Sequence, residues 1–83
     1  MAYICQLAVD VVTYDSEKVD SVEFRDASDD ALIGTVPNVS STQIPSVPWM
    51  VGNGRHRWYA VMKRSGFNDD PSSIYSFTVT GLV

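Results

Sequence analysis

The residues best suited to chemistry in this chain are few and scattered. His56 is the only histidine, and by composition it could join a serine and an aspartate in a nucleophilic set. Such a set needs its imidazole exposed at a pocket. His56 instead lies inside Gly54-Arg55-His56-Arg57-Trp58-Tyr59-Ala60-Val61-Met62-Lys63-Arg64-Ser65-Gly66, which reads as a central β-strand entered and left through glycine. A hydrogen-bonded role in the core or at a corner is expected for it. Asp26, Asp29, Asp30, Asp69 and Asp70 offer oxygen ligands of the kind calcium takes, but their spacing fits no calcium loop. They read as solvated loop acids. Cys5 is the single cysteine, so an internal disulfide framework and a cysteine-rich metal site are both excluded. It is expected to be a buried small hydrophobe on a strand, with an intermolecular disulfide as the alternative. The glycines are isolated or sit in Gly52-Asn53-Gly54, and neither arrangement cradles a phosphate. No catalytic residue, cofactor-binding residue or metal ligand is expected, and no enzyme.

Charge is the next signal. The formal net charge is −4. That opposes non-specific nucleic-acid binding and anionic membranes, which are driven by excess cation. The charge is unevenly placed. Residues 1–30 hold eight of the ten acids, while residues 55–64 hold Arg55, Arg57, Lys63 and Arg64 and no acid. Arg55, Arg57, Tyr59 and Lys63 fall on one side of a strand at alternate positions. Arg and Tyr are enriched in interfaces, so this set is a candidate partner-contact patch. Charged gatekeeping on a solvated strand face is the plainer use of the same residues. A basic patch beside aromatics also permits a glycan partner.

The elements that must position these residues are strands. Eighty-three residues make one domain, residues 1–83, near the lower limit for a self-sufficient core. Residues 2–14 alternate with period 2, with Tyr3, Cys5, Leu7, Val9 and Val11 on one side and Gln6, Ala8 and Asp10 on the other. Asp15-Ser16-Glu17-Lys18 reads as a turn. Val19 to Arg25 is a second strand with Val22 and Phe24 inward, and residues 26–30 form a loop. Residues 31–36 are a short strand in which Gly34 marks a bulge or a close backbone approach, with Pro37 ending it. Pro45 and Pro48 make residues 39–51 an edge strand or an irregular connection, with Trp49 as core anchor. Ser73 to Thr80 is the last strand, with Tyr75, Phe77 and Val79 inward. No segment has helical periodicity. About six short strands at this spacing point to a sandwich.

From Leu7 to Thr80 the chain resembles the bacterial Ig-like domains. These are fibronectin-type-III-like modules of secreted bacterial enzymes, surface proteins and phage structural proteins. The resemblance runs through Leu7, Val9, Val11, Thr13 and Asp15, then Val19, Val22, Glu23 and Phe24, then Leu32-Ile33-Gly34-Thr35 and Trp49. It continues through Gly54, His56, Trp58, Ala60, Met62 and Gly66, and ends on Ser73, Phe77 and Val79. It implies an all-β, Ig-like or fibronectin-III-like antiparallel sandwich of six to seven strands. With the charges of Arg57 and Lys63, it puts His56, Trp58, Ala60 and Met62 inside. The chain departs from the family in having Glu17-Lys18 where a glycine is usual, and His56 where tyrosine is usual. Family members also carry an extra strand ahead of the point where this chain begins, so a sheet edge is expected to lack its neighbour. Such edges attract other strands.

These motifs are packing motifs and speak to fold more than to function. The N-terminus has no basic region, and Gln6 and Asp10 interrupt what would be the apolar part of a signal peptide. No apolar run reaches the ~20 residues that span a bilayer. The resemblance and the absence of an export signal imply a virion component assembled in the host cytoplasm. A capsid decoration or other accessory protein of a phage fits, with a major capsid or other virion protein, or a second copy, as partner. The alternative is a binding or spacer module from a secreted enzyme or adhesin, located outside the cell or on its surface.

Overall fold

A computed structural model describes residues 2–9, 19–37, 39, 44–66 and 68–82. The described chain is all-β, consistent with a small β-sandwich, and contains no helix. Its strands are β1 (Tyr3–Ala8), β2 (Ser21–Asp26), β3 (Leu32–Pro37), β4 (Ser46–Val51), β5 (Gly54–Lys63), β6 (Asp70–Pro71) and β7 (Tyr75–Val79). One antiparallel sheet pairs β1 with β4. The other runs β3-β2-β5, and the far edge of β5 is shared by β7 at its start and β6 near its end. Ser72 closes the gap between those two short partners. Its N–H donates to the Ala60 carbonyl (2.7 Å), and its Oγ accepts the Ala60 N–H (2.9 Å).

The phase of the smaller sheet follows from one bond. The Val9 N–H donates to the Pro45 carbonyl (3.2 Å), continuing the register in which Leu7 faces Val47 and Cys5 faces Trp49. In an antiparallel ladder, residues opposite one another alternate between exchanging backbone bonds and not doing so. Leu7 and Cys5 therefore bond to β4, whereas Ile4, Gln6 and Ala8 direct their N–H and C=O groups to the side away from β4. On β4 the same phase turns Pro48, opposite Gln6, away from β1. A proline that lacks its donor is tolerated there, because no ladder bond needs it.

Side-chain alternation explains the core. Leu7, Val22, Phe24, Val47, Trp58, Ala60 and Met62 share the inner sides of the two sheets, joined by Val19 and Val39 from the connections. All are buried, and no polar or charged side chain is buried with them among the described residues. The expected inward set on β5 is therefore correct for Trp58, Ala60 and Met62, and His56 is half-buried at the same phase. Gly34 acts in both expected ways. The β2–β3 register slips beside it, with Phe24 opposite Gly34 and Arg25 opposite Leu32. A Cβ on Gly34 would stand 3.1 Å from Val47 Cγ1, so the two sheets meet closely at that point.

Some expectations need correction. Trp49 is half-buried and packs against the core from its margin; the buried anchors of β4 are Val47 and Val51. Tyr3 and Tyr75 have the inward phase but are 48% and 46% exposed; Tyr3 is the first residue of β1, and Tyr75 stands where the two sheets part. Val61 is buried although it faces outward, between Glu23 of β2 and Pro71 of β6. Strand β6 forms inside a stretch expected to be a loop, and Cys5 is half-buried rather than buried. The expected continuation of the first strand through Tyr14, with Val11, and the turn at Asp15–Lys18 lie outside the described residues.

Candidate interaction surface

The outer face of β5 carries Arg55, Arg57, Tyr59 and Lys63 at alternate positions, as its alternation requires. The face divides in two. Toward its end, Lys63 lies 3.5 Å from a Glu23 carboxylate oxygen and 3.4 Å from one of Asp69. Arg25 donates from Nε and Nη2 to Glu23 Oε1 (3.3 and 3.1 Å) and from Nη1 to the Asp30 carbonyl (2.7 Å). Tyr59 donates its hydroxyl to Asp30 Oδ1 (2.8 Å). That bond, chiefly, holds the phenol above its ordinary pKa of 10.0, with some desolvation and the nearby carboxylate charge adding to it. Tyr59 and Lys63 are thus engaged within the chain. Arg55 and Arg57, at the start of the strand, are exposed and make no side-chain bond or ion pair among the described residues. Their cross-strand neighbours are Thr78 and Ser76, both uncharged.

The loop aspartates serve the β2–β3 turn. Asp26 Oδ1 accepts the Ser28 N–H (2.9 Å) and its Oγ–H (2.7 Å), and Asp29 Oδ1 accepts the Ala31 N–H (3.0 Å). Asp30 sits at φ 62, a left-handed conformation that aspartate tolerates better than most residues. These side chains work as turn acceptors. Among the described residues they gather into no group that could hold a metal. His56 takes the corner role. Its Nε2 lies 2.8 Å from the Gly52 carbonyl, across the turn between β4 and β5, and its ring packs between Trp49 (5.6 Å) and Phe77 (5.4 Å).

Sequence reasoning expected a sheet edge without its neighbour but did not find the groove beside it. Between β1 and β7 the two sheets stand apart, leaving a groove of about 570 Å³. Leu7, Trp58 and Met62 form its apolar floor; Cys5 lies on one rim, with Tyr75 and Phe77 on the other. Tyr75 stacks on Trp58 with ring centroids 5.0 Å apart. Among the described residues the lining contains no carboxylate, imidazole, ammonium or guanidinium group. Along its rim runs the edge of β1, which has β4 as its one partner strand among the described residues. Neither β1 nor β7 carries a charged residue. The sequence signal was available: β1 and β7 alternate without charge at every outward position, the reverse of β5.

No family model matches this chain, and no curated protein or solved structure does either.

Proposed function

We propose that this chain is a non-enzymatic interaction protein that attaches to a larger protein assembly through the β1 edge, with Arg55 and Arg57 as a second contact. The observation that carries the reading is a flank with no charge on β1 or β7 and, among the described residues, no strand beside β1 on the side away from β4. Small β-proteins ordinarily guard an edge with lysine, proline or a cover. Here β1 carries neither lysine nor proline and has no cover among the described residues, while the opposite sheet is laced with charge. An Ig-like relationship is part of the same proposal. It is supported by β1 pairing β4 while β2 pairs β5, the crossed connectivity that Greek-key sandwiches share. Within that relationship, the assembly we favour is a phage particle, with a major capsid or other virion protein as the contact and the virion as location.

Sedimentation tests the reading. Purified chain mixed with virions of the phage that encodes it is expected to pellet with the particles at a fixed ratio to the capsid subunit. Arg55→Glu together with Arg57→Glu is expected to weaken that association. A chain that remains entirely in the supernatant, or a parent genome with no particle genes, defeats the virion proposal.

A further inference from the structure

We infer that the groove between β1 and β7 receives one extended segment of a partner polypeptide, uncharged, with apolar side chains at alternate positions. The inference rests on the reading of the chain as an interaction protein and names what that interaction consists of. Three features of the flank select this occupant.

The first is the backbone. Ile4, Gln6 and Ala8 present N–H and C=O groups on the side away from β4, at every second residue and so about 7 Å apart. A polypeptide strand offers donors and acceptors at the same repeat, and strand addition to a sheet edge draws its affinity from such bonds. The second is the groove. At about 570 Å³ it is large enough to take several side chains, and its floor of Leu7, Trp58 and Met62 is apolar. A strand laid beside β1 points alternate side chains down into that space. The third is charge. Strands β1 and β7 and the described residues of the lining carry none, so a charged segment would lose water against them without gaining an opposite charge.

A second copy of this chain fits less well. Its own β1 could satisfy the backbone groups, but its inward side chains are committed to its own core, where Leu7 is 2% exposed. Edge-to-edge pairing of two copies would leave both grooves unfilled. The occupant must be a segment whose inward side chains are uncommitted.

The test is an NMR titration of the ¹⁵N-labelled chain with three synthetic heptapeptides. They alternate threonine with valine, with leucine or with phenylalanine, and a scrambled peptide of each composition serves as control. At least one alternating peptide is expected to bind, shifting the amide signals of Ile4, Gln6 and Ala8 and slowing their hydrogen exchange by roughly tenfold or more. The Trp58 indole signal is expected to move with them. Gln6→Pro removes a donor on the outer side of β1 without touching a β4 bond, so it is expected to weaken binding by roughly tenfold while leaving the melting temperature nearly unchanged. Ala8→Pro does the same one repeat along, and serves if the first variant folds poorly. The inference is overturned if no alternating peptide binds, if scrambled peptides bind equally, or if a folded proline variant binds as well as the parent. It is also overturned if these amides are already protected in the dilute chain, or become protected with chain concentration alone, which would identify a second copy. Failure of the peptides with retention of particle binding removes this inference and leaves the proposed function standing; loss of both removes both.

Discussion

The two flanks of the sandwich are built in opposite ways. On the β3–β4 flank the sheets touch: Gly34 has no side chain, and Val47 occupies the space beside it. On the β1–β7 flank they part, and Leu7, Trp58 and Met62 border an open groove. Both flanks draw on the same core, so apolar supply does not explain the difference. It comes from what each edge strand brings. Strand β3 brings a glycine at its point of closest approach, and β7 brings Tyr75, whose ring stacks on Trp58 at the rim instead of reaching across. A small sandwich can therefore close one side by removing a single side chain and leave the other ready to receive one.

Truncating the shared floor is the strongest way to break the comparison. Trp58 touches Phe24 on one side and Tyr75 on the other, with centroids 5.8 and 5.0 Å away. Trp58→Ala is expected to cost ~3–5 kcal/mol in urea-unfolding experiments, a large share of the total for a domain of this size. A loss under ~1 kcal/mol would mean that the inner face of β5 has been wrongly assigned.

Enlarging a residue on each flank sharpens the contrast. Gly34→Ala forces its new methyl against Val47 and is expected to destabilise by ~1–3 kcal/mol. Part of that loss should return in the double variant with Val47→Ala, which makes the pair non-additive. Cys5→Leu extends into the groove and is expected to stay within ~1 kcal/mol of the parent. Equal penalties on both flanks would contradict the open-flank description.

Asp20 ties three segments of the closed body together. Its N–H donates to the Lys63 carbonyl, its carbonyl accepts from Val39, and its Oδ2 accepts the Ser65 N–H (2.6 Å). Asp20→Ala removes only the last of these and is expected to cost ~1–2 kcal/mol by thermal unfolding.

Smaller effects belong to the charged face. The Tyr59 phenol is held above its ordinary 10.0 because its O–H donates to Asp30. A group whose folded pKa is raised contributes fully below the unfolded value, and that contribution disappears as pH rises through the folded value. Parent and Tyr59→Phe are therefore expected to differ in stability at neutral pH and to converge above pH 10, with melting curves across that range as the check. Lys63→Met, which breaks the contacts to Glu23 and Asp69, is expected to change stability by under ~1 kcal/mol, less at high salt.

What the sequence made legible follows period-2 alternation. The inward sets Val22/Phe24 and Trp58/Ala60/Met62 and the outward arginines could be read directly, because each strand has one apolar and one polar side. The corner role of His56 was legible from its phase and the glycines around it. Trp49 departs from its expected place because an inward phase does not carry a large aromatic to the centre when its strand lies at an edge: the ring packs sideways on His56 and Phe77. Of the groove, the bare edge and the absence of charge on β1 and β7 were legible, but the space between them was not. It exists because two distant strands fail to meet, and no local pattern records a gap between elements. Asn53 was hidden for a related reason. Its amide exchanges bonds with the Leu82 N–H and C=O (3.0 Å each), substituting for a strand partner in a way that composition does not announce.

Pro48 has a consequence beyond its own strand. A ribbon that grows by recruiting neighbours needs two receptive sides, and the outward gap that this ring leaves in β4 makes the side opposite β1 a poor template. One arrival at β1 would complete the small sheet, and propagation would stop there. Under the proposed attachment, such a molecule would join its assembly one for one without becoming the seed of a fibre.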